Sequence, residues 1–288
     1  MSDLPDARNG EASDFFLSMG ELRAACDFLY RRTGMAYGET KRYFIERRIA
    51  DRMAAARSPS VQSYLAQLRS DDSESELFIN SFTINETYFY REEHQLRCLG
   101  RSLMPELIAS RKAGDLVRIW SIPCATGEEP YSIAIWLLEN WPLVDAYHIE
   151  IIGSDIDTQV LAAASTGNYG ERALSQLPAN VVEQYFENPR DGNRRILQDI
   201  RESVKFTQVN LMNSRDMAAQ GRFDVVFCRN VLIYFDEISR QDASQNLYDA
   251  LNPGGFICLG HAESMMRITN QFAVRRFEDA IVYQRPER

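Results

Sequence analysis

The sequence contains no apolar stretch long enough to cross a bilayer. Its longest apolar run, IAIWLL at 133–138, has six residues, whereas a membrane-spanning helix needs about 20. The first residues, MSDLPDARNGEASDFF, lack both the basic start and the apolar segment of a signal peptide. We therefore expect a cytoplasmic protein that does not insert into a membrane.

The patterns typical of metal sites and disulfide frameworks are also missing. The five cysteines and three histidines are scattered along the chain, without a CxxC pair or an HExxH segment. Isolated cysteines of this kind are typical of reduced packing residues. We expect neither a redox dithiol nor a metal bound by protein side chains.

An excess of positive charge is absent from the chain as a whole. The net charge of −9 disfavours non-specific binding of nucleic acid, so no nucleic-acid partner is expected. Residues 41–57 are the exception, with six basic and two acidic side chains. On a helix with roughly 100° per residue, Lys41, Arg48 and Arg52 fall within about 20° of one line. This basic stripe is either a solvated face or a docking surface for an acidic helical partner.

The length of 288 residues allows one large domain or two unequal domains. Residues 1–16 are polar and predicted to be a frayed tail, whereas residues 17–84 contain only helical patterns and predict a small all-α domain. Residues 85–114 are predicted to be a linker and a junction helix. From 115 to 288, short apolar runs alternate with helical stretches, which is typical of a doubly wound, mostly parallel α/β sheet.

Two segments depart from that alternation. FAVRRF and AIVYQR, close to the C-terminus, have a hairpin pattern that predicts one antiparallel strand at the sheet edge. The segment at about 168–203 is too long for a simple connection. We expect a small inserted β-rich subdomain there.

Polar residues follow the predicted strands at the sheet edge where doubly wound proteins bind ligands. Asp155 is suited to accept hydrogen bonds from ribose hydroxyls. The first turn, PCATGEE, has one glycine followed by Glu128 and Glu129 where a dinucleotide site has GxGxxG. Carboxylates repel phosphate and attract a cationic adenosyl ligand such as S-adenosylmethionine. The polar strand-end residues are Glu128, Asp155, Asn210, Arg229 and Asn230.

Simpler explanations of the same residues stay open. Thr126 and Glu129 fit a capping box at a helix start. Asp155 and Asp157 fit an N-cap pair, and Asn210 fits an ordinary turn.

A second cluster, NETYFYREE at 85–93, lies where the helical and α/β domains meet. Clefts between domains often bind ligands, which makes Asn85, Thr87 and Arg91 candidates. The alternative is that the aromatic residues belong to the core and that Arg91 forms a surface ion pair.

Taken together, these segments resemble the chemotaxis receptor methyltransferase family, CheR, which methylates glutamate side chains on the cytoplasmic helices of chemoreceptors. The resemblance extends from about Met19 to Tyr283. It is carried by NETYFYRE, SIPCATGEEPYSIAI, IIGSDIDTQVLAAASTGNY and FDVVFCRNVLIYF.

The resemblance implies a methyltransferase-type sheet, S-adenosylmethionine as cofactor, S-adenosylhomocysteine as product and no metal. It implies that Glu128 receives the methionine ammonium group and that Asp155 binds the ribose. Arg91 and Tyr234 are expected to act in catalysis by orienting the acceptor carboxylate and the methyl group. The implied cofactor contacts are Asn85, Thr87, Arg91, Glu128, Asp155, Asn210, Leu211, Arg229 and Asn230.

The implied partner is the cytoplasmic domain of chemoreceptors, with Lys41, Arg48 and Arg52 as docking residues on a monomeric enzyme. Some family members grip a receptor pentapeptide through a longer, glycine-rich loop in the inserted subdomain. This chain has only ENPRDGNRRILQDIRES there, so we expect a pentapeptide-independent enzyme. Three other functions stay open: methylation of another sensory protein, an inactive adaptor, and a nicotinamide-dependent oxidoreductase, which the missing GxGxxG disfavours.

Overall fold

The computed structural model describes residues 15–287, so most of the predicted tail lies outside the described residues. Four helices come first. The first is capped at its N-terminus by Ser18, which forms a capping box with Glu21, and at its C-terminus by Gly34 in the left-handed conformation. The third is capped by Ser60, and the fourth is capped by Asp71. The helices are α1 (Met19–Thr33), α2 (Arg42–Ala55), α3 (Val61–Ser70) and α4 (Asp72–Phe82).

Strands and helices then alternate, as the apolar runs predict. The junction contains α5 (Glu93–Cys98) and α6 (Met104–Ile108), joined by a π-turn at Leu99–Leu103. The next elements are β1 (Leu116–Ser121), α7 (Glu128–Asn140), β2 (His148–Asp155), α8 (Thr158–Thr166), β3 (Asn168–Gly170), α9 (Glu171–Leu174), α10 (Ala179–Tyr185), β4 (Asn193–Arg195) and α11 (Gln198–Glu202). The chain continues with β5 (Val204–Gln208), α12 (Ser214–Ala219), β6 (Phe223–Cys228), α13 (Glu237–Ala250), β7 (Leu251–Leu259), β8 (Ala273–Arg276) and β9 (Ile281–Gln284).

Seven strands form one sheet in the order β5-β2-β1-β6-β7-β9-β8. The first five of these strands are parallel, which confirms the mostly parallel α/β prediction. The predicted hairpin is present, but its antiparallel strand is β9, which lies one place in from the edge between β7 and β8. Burial explains this order: Val282 and Tyr283 of β9 are buried, whereas β8 is exposed or half-buried, as an edge strand tolerates.

The inserted segment contains less β-structure than expected. The strands β3 and β4 form a two-stranded antiparallel sheet of three residues each. The short helices α9, α10 and α11 contain more of its residues. The inserted segment therefore contains more helix than strand.

Two apolar clusters cover the two faces of the large sheet. On one face, Trp120 and Val226 pack in a cluster that continues into the N-terminal helices through Leu29 and Phe82. On the other face, Ile119 packs with residues of α5, α7 and the inserted segment. The carboxyl ends of β1, β2 and β6 reach the same edge, because Ser121 pairs with both Gly153 and Phe227. No helix within residues 15–287 is long and apolar enough to cross a membrane.

Candidate cofactor and methyl-transfer site

A pocket opens at the carboxyl edge of the sheet, between the strand ends and the segment that follows α4. Most of the predicted site residues line it. They are Asn85, Thr87, Arg91, Asp155, Asn210, Leu211, Arg229, Asn230 and Tyr234. Glu128 and the docking residues Lys41, Arg48 and Arg52 are not in its lining.

Asp155 ends β2 and is 3% exposed. One carboxylate oxygen, Oδ2, accepts from the backbone N–H of Ala125 at 2.9 Å, and Oδ1 accepts from the N–H of Asp157 at 3.0 Å. Burial raises the pKa of Asp155 to about 6, although these hydrogen bonds favour the ionised form. The first turn and the end of β2 are thus held together by one buried carboxylate.

The two glutamates of the first turn face different surroundings. Glu129 lines the pocket, and its Oε1 accepts from Ser121 Oγ at 2.8 Å. Glu128 is buried outside the pocket lining, and its Oε2 accepts from Thr126 Oγ1 at 2.7 Å. Burial raises the pKa of Glu128. Of the two glutamates, only Glu129 therefore belongs to the pocket lining.

The capping-box alternative for this turn is wrong. The N-cap of α7 is Gly127, with φ of 93° and no side-chain hydrogen bond to the helix start. The N-cap alternative for Asp157 holds, because its Oδ1 accepts from the N–H groups of Gln159 and Val160 at the start of α8.

Arg229 is a buried cation between two carboxylates. Its Nη1 lies 2.7 Å from Oε2 of Glu129, and its Nη2 lies 3.1 Å from Oε2 of Glu92. Nη2 also donates to the backbone oxygen of Arg91 at 2.9 Å. Among residues 15–287, the buried Nε has no hydrogen-bond partner. Arg229 thus lines the pocket as a cation whose charge is balanced by two carboxylates.

The segment after α4 is tied to the sheet by Asp157. Its Oδ2 accepts from Thr83 Oγ1 at 2.7 Å and from Asn85 Nδ2 at 3.1 Å. Farther along, Arg91 Nη1 donates to the backbone oxygen of Glu86 at 2.7 Å. The guanidinium of Arg91 lies 5.8 Å from the ring centre of Tyr88. Asn85 is therefore tied to the start of α8 by a contact between distant parts of the chain, whereas Arg91 is held by a local hydrogen bond.

The helical domain contributes a wall that the sequence did not indicate. Thr33 and Met35, at and just beyond the end of α1, line the pocket. Asn210 Nδ2 donates to the backbone oxygen of Arg32 at 2.6 Å, while its Oδ1 accepts from the N–H of Met212 at 3.0 Å. Asn210 thus joins the end of α1 to the loop after β5.

Tyr234 lies where the helical domain approaches the pocket. Its backbone oxygen accepts from the N–H of Ala36 at 2.9 Å. Lys41 Nζ lies 5.7 Å from the ring centre of Tyr234 and 5.4 Å from that of Tyr37. Burial raises the pKa of the Tyr234 hydroxyl.

The predicted basic stripe is not one free surface. Lys41 precedes α2, in a 3-10 turn. Arg52 is held by Glu74 through Nε–Oε1 and Nη2–Oε2 distances of 3.0 and 2.6 Å. Arg48 stacks on Phe44, with 5.1 Å between the guanidinium and the ring centre. Arg52 therefore forms an ion pair within the helical domain.

The sequence prediction omits several residues at the site. It includes Glu129 in the acidic first turn without assigning it a cofactor contact, and it treats Asp157 only as an N-cap. Glu263 follows the end of β7, and a search of that strand end for polar groups would have found it. Glu92, Thr33 and Met35 gave no such signal, because their place depends on how distant segments pack. Within residues 15–287, no group of His, Cys, Asp and Glu is arranged to hold a metal ion.

Comparisons with known proteins identify the family of this chain. A family model of the CheR methyltransferase SAM-binding domain matches residues 85–281, and a model of the CheR methyltransferase all-alpha domain matches residues 20–83. The chain is 44% identical over 264 residues to chemotaxis protein methyltransferase 2 of Vibrio cholerae, covering 91% of each protein. It is 34% identical over 260 residues to chemotaxis protein methyltransferase 2 of Pseudomonas aeruginosa, covering 89% of this chain and 91% of that protein.

A third relative, the chemotaxis protein methyltransferase of Escherichia coli, is 33% identical over 264 residues, covering 90% of this chain and 89% of that protein. The predicted family, methyltransferase activity and S-adenosylmethionine cofactor are thereby confirmed. The chain belongs to the CheR family of S-adenosylmethionine-binding chemotaxis protein methyltransferases.

Proposed function

We propose that this enzyme methylates glutamate carboxylates on the cytoplasmic helices of chemoreceptors and produces glutamate methyl esters. The names of its relatives support a chemotaxis substrate. The observation that carries the chemistry is the charge of the pocket lining, where Glu86, Glu129 and Asp155 face Arg91 and Arg229. Ionised, these groups sum to one negative charge. S-adenosylmethionine carries one net positive charge, whereas the pyrophosphate of a dinucleotide would be repelled.

Each part of the cofactor has a matching group in the pocket. Asp155 is positioned to accept from the ribose hydroxyls, as its place at the end of β2 indicates. We assign the ammonium group to Glu129, whose carboxylate lines the pocket, in place of Glu128. The guanidinium group of Arg229 lines the pocket and is suited to the amino acid carboxylate. Leu211 and Met35 offer apolar contacts for the adenine.

The acceptor needs no strong base. A glutamate side chain is already ionised at neutral pH, and the cofactor supplies a methyl group activated by a positively charged sulfur. The protein's task is to align acceptor and donor. Within residues 15–287, the Arg91 side chain has one hydrogen bond, to Glu86. Its other N–H groups are available to orient the acceptor carboxylate, with Tyr234 beside it in the pocket lining.

The acidic face of a receptor helix fits the approach to this pocket. Lys41 lies against the ring of Tyr234, and Arg48 follows it on α2. We propose that these two side chains steer the receptor, and that Arg52, paired with Glu74, supports the helical domain instead. A substrate of this kind requires a cytoplasmic enzyme.

The proposal is tested by two measurements on the purified enzyme. We expect micromolar binding of S-adenosylhomocysteine by calorimetry, and transfer of labelled methyl groups from S-adenosylmethionine to receptor cytoplasmic fragments in a base-labile form. Receptor fragments with glutamate replaced by glutamine at the methylated positions are the control. Cofactor binding without transfer would indicate an adaptor or a different sensory substrate. Absence of binding would contradict the cofactor site itself.

We further propose that the enzyme acts independently of a receptor C-terminal pentapeptide. This proposal rests on the short connection ENPRDGNRRILQDIRES in the inserted segment. Receptor fragments with and without their last residues should be methylated at the same rate. Micromolar binding of an isolated tail peptide would contradict the proposal.

A further inference from the structure

Glu263 uses both of its carboxylate oxygens to bind backbone groups. Its Oε2 accepts from the N–H groups of Asn230 and Gly260 at 2.8 and 2.9 Å. Its Oε1 accepts from the N–H groups of Val231 and Leu232 at 3.0 and 2.8 Å. One half-buried side chain therefore satisfies three consecutive N–H groups of the loop after β6, together with one after β7.

That loop carries a large part of the pocket wall. Asn230, Val231 and Tyr234 all line the pocket, and Arg229 begins the loop. Asn230 has φ of 59°, in the left-handed region that a non-glycine residue adopts only at a cost. The loop makes no ladder with a neighbouring strand at these positions, so without Glu263 its N–H groups would lose their protein acceptor.

We infer that Glu263 is a positioning residue, whose carboxylate fixes the backbone of residues 230–232 and so orients Asn230 and Tyr234 at the methyl-transfer site. This inference rests on the proposed function for its catalytic consequence. Glu263 must be ionised to hold the loop in this way, because both of its carboxylate oxygens accept hydrogen bonds. In a glutamine at this position, the NH₂ group would replace one oxygen and would face two backbone N–H groups, from which it cannot accept hydrogen bonds.

The test compares Glu263→Gln with Asp224→Asn as a matched control. Asp224 is buried near the amino end of β6, at the opposite end of the sheet from the pocket. It likewise accepts from a backbone N–H, that of Arg118 at 2.9 Å, and from Asn252 Nδ2 at 2.8 Å, and it also forms an ion pair with Arg111. Both variants replace one acceptor oxygen by a donor and remove one charge, but only Glu263→Gln does so beside the pocket.

Amide hydrogen exchange, measured without cofactor, decides whether the loop is held by Glu263. In Glu263→Gln, residues 230–232 should exchange at least about tenfold faster than in the wild type, and in Asp224→Asn they should be unchanged. Turnover by folded Glu263→Gln should fall about tenfold, with a smaller loss of affinity for S-adenosylhomocysteine. Glu263→Asp, which keeps the charge, should recover part of the turnover.

Two results would overturn the inference. One is unchanged exchange of residues 230–232 in Glu263→Gln. The other is an equal loss of turnover in Asp224→Asn at the same fraction of folded protein. If the wild type neither binds S-adenosylhomocysteine nor transfers methyl groups, the proposed function fails, and hydrogen exchange still decides whether Glu263 holds the loop.

Discussion

Glu128 and Glu129 are adjacent in sequence, but successive helical side chains are separated by about 100° around the axis. Glu129 consequently lines the pocket and contacts Arg229, whereas Glu128 is buried outside the lining. The sequence identified an acidic turn correctly, but it could not specify the rotation of α7 about its axis. That rotation depends on how Gly127 begins the helix.

This difference gives the first prediction. Glu129→Gln should weaken binding of S-adenosylhomocysteine by about tenfold or more, because a charged hydrogen bond contributes about 1.5–3 kcal/mol. Glu128→Gln should change the affinity by less than about threefold, because it removes a buried group outside the pocket. Calorimetry on both variants gives the comparison. The reverse order of effects would restore Glu128 as the ligand.

Arg91 is expected to affect turnover more than cofactor affinity. Replacing Arg91 with alanine removes the N–H groups that orient the acceptor, so turnover should fall about a hundredfold while the affinity for S-adenosylhomocysteine changes only a few-fold. Arg172→Ala is the control, since Arg172 is 85% exposed in its side chain and pairs with Glu86 in the same region. Equal turnover in wild type and Arg91→Ala would refute the assignment.

Asp155 should make cofactor binding depend on pH. Its pKa is raised by burial from 3.8 to about 6, so the ribose acceptor becomes protonated as the pH falls through that value. We expect affinity for S-adenosylhomocysteine to weaken between pH 7 and pH 5 in the wild type. In Asp155→Asn the affinity should be lower at pH 7 and nearly constant over this range.

The raised pKa of Asp155 has the opposite effect on protein stability, which should increase as the pH falls. Since folding raises the pKa of Asp155, its contribution to the free energy of unfolding is fully present below 3.8 and is lost as the pH rises through about 6. Without cofactor, wild type should therefore gain stability relative to Asp155→Asn as the pH falls from 7 to 5. An identical pH dependence in thermal unfolding of both proteins would contradict the raised pKa.

At the scale of elements, the strands and most helices could be predicted because apolar periodicity and capping residues are local. Gly34 marks the C-terminal end of α1, and Ser60 marks the N-terminal end of α3. The position of β9 inside the sheet and the helical character of the insertion could not be read locally. Both depend on which strand is buried against β7 and on packing with distant segments.

The contact of α1 with the loop after β5 is tested by two glycine variants. Gly34 and Gly114 have φ of 73° and 88°, so alanine should cost each about 1 kcal/mol of stability. A Cβ on Gly34 would lie 2.8 Å from Met212 Cγ, whereas one on Gly114 would meet no atom of residues 15–287 within 4 Å. Only Gly34→Ala should displace Met212 and Asn210 and weaken binding of S-adenosylhomocysteine, by about threefold. Equal affinities would show that this contact does not shape the pocket.

For the whole molecule, receptor recognition should depend on ionic strength. The double variant Lys41→Glu and Arg48→Glu should lower kcat/KM for receptor fragments about tenfold at low salt, and the difference should shrink as salt is added. The control is Arg69→Glu with Arg101→Glu, which changes the net charge equally at two exposed positions. Equal effects of the two doubles would indicate a response to net charge alone. Unchanged methylation in the first double would reject the docking surface.

The family models divide the chain between residues 83 and 85, yet its apolar interior has no corresponding break. Leu29 and Phe82 share one cluster with Trp120 and Val226, and Met35 reaches the pocket. A shortened chain beginning at residue 85 would expose the part of this apolar cluster that the N-terminal helices cover. We expect such a fragment to self-associate through this exposed apolar surface.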